Sequence, residues 1–248
     1  MTRCIASSVT LYGTVRRRAR YDYLIFILLC WPFFWAYSAT GLRQSLALSI
    51  SLLAIAALIR ERLYIASGLI FLATLFHAAT ILLAIVFLPL WRILETEWII
   101  AFWIFSIIFG LSVNLQGLEY LIPHQMNLQS RFSHYLSEDF GLDVTRGIRV
   151  DFVFFSAIPI VAFFLRQKNK LTDERRLEVL FKLYIILNSI GNILSTVPYS
   201  DRIYSFSWLI APIVLASVWE GLPQMMRIGI SSFLLYLVYT YSGHWIGL

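Results

Sequence analysis

Charge is what this sequence has least of. Asp, Glu, Lys and Arg together make up only 14% of the 248 residues, whereas soluble domains carry about a quarter. An ordinary water-soluble surface cannot be built from so few. Repeats, low-complexity tracts and Pro/Gly-rich linkers are also missing, which excludes solenoids and strings of domains and leaves one unit over residues 1–248. The two cysteines, Cys4 and Cys30, stand alone without metal-ligand or disulfide-framework spacing and read as packing residues. No glycine-rich phosphate loop, zinc-ligand motif, nucleophile elbow or carboxylate cluster suited to Mg²⁺ is present. The chemistry of soluble enzymes is not written here, and neither metal nor cofactor is expected. The period-two alternation of an outer-membrane barrel is lacking too.

What the chain does have is apolar sequence in blocks. Hydrophobic residues reach 59%, and stretches of about 15 to 28 residues nearly free of charge recur from Tyr21 to Leu248. A helical span needs roughly 20. Inside lipid the backbone must satisfy its own polar groups, so with a barrel set aside only helices remain. The expected fold is therefore all-α, a polytopic transmembrane helix bundle of about eight or nine membrane segments. Spans are predicted near Tyr21–Thr40, Gln44–Ile59, Tyr64–Trp91, Trp98–Val113, Val150–Leu165, Val179–Val197, Ile203–Trp219 and Met225–Tyr241. Residues 1–15 are weakly apolar, but an Arg cluster follows and no small-residue cleavage site is evident. They read as a frayed or truncated membrane segment and not as a signal peptide. The one long connection, Asn114–Arg149, about 36 residues, is the candidate extracytoplasmic loop.

Orientation follows from the basic clusters: Arg16, Arg17, Arg18 and Arg20; Arg60 and Arg62; and Arg166, Lys168, Lys170, Arg175 and Arg176. All three belong on the cytoplasmic side. The net charge of +6 arises in these short loops, which fits orientation and anionic-lipid contact and not nucleic-acid binding. An even number of crossings must then separate Arg62 from Arg166, yet the spans between them number three. The economical solution makes Tyr64–Trp91 a tight hairpin of two short helices turning near His77, with a single tilted helix plus a re-entrant piece in the long loop as the alternative. The hairpin places the Gly41–Gln44 turn, the His77 turn, the long loop and the Pro198–Arg202 turn on one outer face.

Several residues on that face have two readings. Arg43 sits in a turn of about four residues between apolar runs. It either snorkels from a helix end or presents its planar fork to a phosphate, with Gln44 beside it. His77, in an otherwise uncharged stretch, is a hydrogen-bonded packing residue, a general base or a donor to a sugar or phosphate oxygen. Asp201 and Arg202 follow Tyr199 and precede Tyr204, Phe206 and Trp208, an aromatic belt or stacking faces for a carbohydrate. In and after the long loop, Arg131, His134, Tyr135, Arg146, Arg149 and Asp151 offer the same mixture, most of it solvated. Asn188 and Asn192, four apart, share one helix face suited to interhelical hydrogen bonds.

Four segments, GLRQSLALS (Gly41–Ser49), ATLFHAATILL with FLPLW (Ala73–Trp91), RGIRVDFVFFSAIPI (Arg146–Ile160) and YSDRIYSFSWLIAP (Tyr199–Pro212), resemble in order and spacing the EpsG-like, Wzy-type membrane polymerases of bacterial exopolysaccharide and O-antigen repeat units. That resemblance implies a multi-pass glycosyltransferase of the bacterial inner membrane. It transfers a growing chain from its undecaprenyl-diphosphate carrier onto an incoming lipid-linked oligosaccharide, without metal or other cofactor. Arg43 and Arg202 match the arginines of the family segments, implied to bind the diphosphate, and His77 matches the histidine. His77 or Asp201 is the candidate catalytic base. Gln44, Arg149, Asp151, Tyr135 and Tyr199 are the remaining candidates for diphosphate or sugar binding. Chain-length regulator and flippase proteins are the implied partners besides the bilayer, and no nucleic acid is. Family members usually carry further residues ahead of the segment that residues 1–20 resemble, so the amino-terminal spans of the family are expected to be missing and activity of the chain alone is in question. The competing expectations are a transporter or flippase of a lipid-linked saccharide, disfavoured by the absence of repeats, and a non-catalytic membrane scaffold.

Overall fold

A computed structural model describes residues 2–15, 21–31, 42–87, 94–112, 148, 150–168, 173–196 and 201–245. Every regular element among them is helical. The α-helices are α1 (Thr2–Val15), α2 (Tyr21–Cys30), α3 (Leu42–Ile59), α4 (Leu63–Phe76), α5 (Thr96–Ser112), α6 (Val150–Leu165), α7 (Glu174–Ile193), α8 (Asp201–Val218) and α9 (Gln224–Trp245); 3-10 helices cover Ala78–Phe87 and Trp219–Gly221. The long loop falls almost wholly outside the described residues, as do Tyr135, Arg149 and Tyr199.

The chain shuttles between two ends. At one end the Val15 carbonyl accepts from the Asp173 amide at 3.0 Å and the Gly221 carbonyl from the Gln167 amide at 2.7 Å. There too, Glu61 lies 3.6 Å from Arg175 and Thr96 donates to Glu178 at 3.3 Å. This is the basic end, carrying Arg60, Arg62, Arg166, Lys168, Arg175 and Arg176. Away from that end, Cys4 near the start of α1 meets Ser49 in the middle of α3 at 3.0 Å.

Since Glu61 and Thr96 both lie at the basic end, the chain that leaves along α4 has returned by Thr96. His77 marks the reversal. Its backbone is extended (φ −151°, ψ 112°), the next ten residues form a 3-10 helix, and the hydroxyls of Thr74 and Thr80, three residues to either side, stand 3.2 Å apart. A straight helix would place positions six apart on different faces. The parity of the basic clusters thus matches the course of the backbone. The α3–α4 turn is equally sharp: the Arg62 amide reaches the Ala57 carbonyl and the Glu61 amide the Leu58 carbonyl, both at 2.9 Å. Glu61 takes the left-handed position (φ 61°) that glycine usually fills in such a helix cap.

Helix α8 is the axis. It packs against α7, α6, α1 and α2. Among the described residues it alone, as Arg202–Gly221, is long and apolar enough to cross a membrane by length and composition, and 89% of its apolar window is buried. The other apolar helices are shorter, so length alone does not count the crossings. Large apolar side chains also stand exposed on several helices, among them Tyr64, Phe71, Trp98 and Ile108.

Residues 2–15 correct the sequence reading. They form no frayed segment but a helix whose Cys4, Leu11, Tyr12 and Val15 are buried against α3 and α8. Its weak hydropathy comes from Ser7, Ser8 and Thr14, which are buried too; small polar residues let helix backbones approach closely. The interhelical role expected of the paired asparagines is borne out. Trp103 Nε1 donates to Asn188 Oδ1 at 2.7 Å, and Asn188 Nδ2 donates to Ser156 at 2.8 Å and Ser207 at 3.1 Å. Asn192 Nδ2 donates to Ser106 at 2.9 Å, and its Oδ1 accepts from Tyr204 at 2.6 Å. Helices α5, α6, α7 and α8 are joined at these two side chains.

Replacing Asn188 with Leu leaves Trp103 Nε1 without its acceptor and takes one bond each from Ser156 and Ser207, which keep Trp208 Nε1 and the Tyr204 carbonyl as partners, and should cost about 2 kcal/mol. Ser189→Ala, which removes only a bond to its own helix at Ile185, should cost less than about 0.5 kcal/mol; thermal unfolding in detergent compares the two. A Cβ at Gly110 would collide with the Asn192 carbonyl and the Ile148 side chain, whereas one at Gly68 meets nothing within 4 Å. By the same assay Gly110→Ala should destabilise by about 1–3 kcal/mol, and Gly68→Ala should be neutral or stabilise by up to about 1 kcal/mol.

Candidate functional site

The end opposite the basic clusters gathers the described candidates from four helices. Arg43 and Gln44 lie in the first turn of α3, His77 follows the last turn of α4, Asp151 lies in the first turn of α6, and Asp201 and Arg202 open α8. These helices alternate in direction, so their polar termini share one end although they lie far apart in sequence.

Arg43 is exposed; Gln44, His77, Asp151 and Arg202 are half-buried. Gln44 Nε2 and His77 Nε2 are themselves buried and have no hydrogen-bond partner among the described residues, an arrangement that costs free energy unless something else satisfies them. The charge of Arg202 reaches His77. Burial first, and that guanidinium second, hold the imidazole of this turn below its ordinary range. At neutral pH His77 is therefore uncharged, able to accept a proton or hydrogen bond but unable to add a positive charge. An arginine fork and a neutral imidazole at the same end can bind an anion and take a proton.

The aromatic residues of α8 are corrected. Tyr204, Phe206 and Trp208 are buried, neither a belt at an interface nor open faces for a sugar. Tyr204 stacks on Trp208 at 5.0 Å, and Phe152 meets Trp208 edge-on at 4.5 Å. Their alternation with Ser205 and Ser207 gives no hydropathy contrast that would separate an inward from an outward face.

A polar group that hydropathy did not single out lies at the basic end. Lys182, nearly fully buried, pairs with Glu178 at 2.8 Å, and Thr96 of α5 donates to the same carboxylate. The spacing of four residues was its only signal in the sequence. Nearby, Arg166 lies 3.6 Å from the Phe163 ring centroid, Phe163 stacks on Phe181, and Arg166 pairs with Glu174 at 2.7 Å. This tightens the α6–α7 connection.

Among the described residues no group of three or more His, Cys, Asp or Glu is arranged to hold a metal ion. No curated protein and no solved structure matches the chain. The sequence profile of the EpsG family matches residues 1–247, nearly the whole of it. With that match over an all-helical bundle, the chain belongs to the EpsG family, membrane proteins of polysaccharide biosynthesis.

Proposed function

We propose that this protein is a multi-pass glycosyltransferase of the bacterial inner membrane that polymerises undecaprenyl-diphosphate-linked oligosaccharide units in exopolysaccharide or O-antigen biosynthesis. The observation that carries this reading is that Arg43, Gln44, a half-buried His77 and Arg202 lie at one end of the bundle, with His77 within electrostatic reach of Arg202. In this reading the whole chain is one integral membrane domain of about eight or nine membrane segments, with Leu63–Phe76 and Ala78–Phe87 as the two arms of the hairpin, and the bilayer thins around the shorter segments. The basic end faces the cytoplasm and loop 114–149 lies outside.

The step is a displacement at the anomeric carbon of the growing chain. A hydroxyl oxygen of the incoming unit bonds to that carbon, the bond from carbon to the carrier's diphosphate oxygen breaks, and the diphosphate leaves with the electron pair. Arg43 and Arg202 bind it, so the developing negative charge meets fixed donors in a site of low dielectric. The hydroxyl proton passes to Nε2 of His77, with Asp201 orienting the acceptor or the imidazole. Gln44 donates to the diphosphate or a sugar oxygen. Asp151, together with Arg149, Tyr135 and Tyr199, is proposed to contact the saccharide, and a chain-length regulator and a flippase are proposed as partners.

Two tests follow. In a Cys4→Ser, Cys30→Ala background, cysteine at position 43 should react with a membrane-impermeant maleimide on intact inner-membrane spheroplasts, and cysteine at 168 only after lysis; the reverse pattern would overturn the orientation. In the native host, His77→Gln and Arg202→Gln should each reduce polymer by about 100-fold or more. Arg202→Lys should not restore it, because an ammonium lacks the guanidinium fork, and Lys168→Gln should leave it unchanged. Polymer length on gels, with single repeat units accumulating, reads the outcome. Units failing to reach the outer face would indicate a flippase instead, and undiminished polymer a scaffold.

A further inference from the structure

We propose that a second anion site, for one phosphate group at headgroup depth, lies at the basic end between the start of α7 and the α3–α4 turn. It is remote from His77 and does not rest on the polymerase reading. A cavity of about 420 Å³ opens there, and Arg60, Arg175, Arg176 and Lys182 line it against Glu61, Asp173 and Glu178. Four cationic side chains face three acidic ones, so the lining alone leaves an unmatched positive charge for an anion.

The cations are unequally committed. Lys182 is locked to Glu178 at 2.8 Å. Arg176 donates to the Thr14 carbonyl at 3.0 Å and pairs with Asp173 at 3.4 Å, which ties the end of α1 to the start of α7. Both are fixed and serve as the wall. Arg175, by contrast, stands 3.6 Å from Glu61 with both side chains mostly exposed, a solvent-screened contact that holds weakly. Arg60 is exposed and has no ion pair among the described residues. Two guanidinium forks at the rim are therefore available to one phosphate, the geometry such forks suit. Glu61, in its left-handed backbone position, supplies the carboxylate that neutralises Arg175 in the meantime.

The rest of the lining favours an amphiphile as the carrier of the phosphate. Leu58, Ile59 and Val179 supply apolar wall beside the charged groups, matching a headgroup with its glycerol and acyl stem. Pockets of this kind between helices, on the side where the positive charges gather, are where anionic headgroups bind.

The test titrates the full chain, purified in detergent, with dihexanoyl phosphatidylglycerol, dihexanoyl phosphatidylcholine and inorganic phosphate, and reads the concentration at half-maximal thermal stabilisation. Phosphatidylglycerol should act at lower concentration than phosphatidylcholine, and its half-point should rise about fivefold for each of Arg60→Gln and Arg175→Gln. Glu61→Gln, which frees Arg175, should move it the opposite way. Stabilisation by phosphatidylglycerol alone identifies a lipid ligand, and equal stabilisation by inorganic phosphate identifies a free one. Equal action of the two lipids, or half-points unchanged in the arginine variants and in Glu61→Gln, overturns the site.

Discussion

Everything else in this bundle depends on how polar groups are satisfied in an interior and exterior that are both apolar. Asn188 and Asn192 meet that constraint by joining four helices, and the hydroxyls of Ser106, Ser156 and Ser207 complete the set. In surroundings without water a side-chain amide left alone is costly. The bonds therefore do more than add stability: they fix the rotation of α5, α6 and α8 about α7, because only one rotation brings all the partners within reach. The small residues set the distance. Gly110 and Gly191 have no room for a Cβ beside Asn192 and Tyr204, so the backbones stand close enough for the amides to bridge them.

The same constraint separates the two ends. Charges left over after folding are gathered where the helices terminate, and strict reversal of direction sorts them. Among the described residues, Arg166, Arg175, Arg176 and Lys182 at the basic end are paired, with Glu174, Glu61, Asp173 and Glu178. At the other end the buried Nε2 donor of Gln44 and the buried Nε2 of His77 have no partner among the described residues. The first end holds helices against one another, and the second leaves polar atoms that a bound molecule would satisfy.

The chemistry proposed for that second end follows from neutrality. Burial drives the His77 imidazole toward its uncharged form, and the charge of Arg202 adds to that. In the proposed reaction the guanidinium binds the leaving anion while the imidazole stays free to take the proton. Two cations side by side would grip the diphosphate but leave the acceptor hydroxyl without a base.

The sequence by itself determined that the chain is helical and apolar, and the parity of its arginine clusters favoured, over a tilted helix with a re-entrant piece, a reversal near His77 that puts Arg43, His77 and Arg202 at one end. Those properties are sums over segments, to which each residue contributes through its transfer cost or its charge. It did not determine that residues 2–15 form a packed helix, that Tyr204, Phe206 and Trp208 face inward, or that Lys182 is buried against Glu178 and Thr96. Those outcomes were decided by tertiary structure, because burial and partnership depend on how near and at what rotation the neighbouring helix lies. That is fixed by the fit of glycines and asparagines across contacts more than eighty residues apart in the chain, such as Trp103 with Asn188.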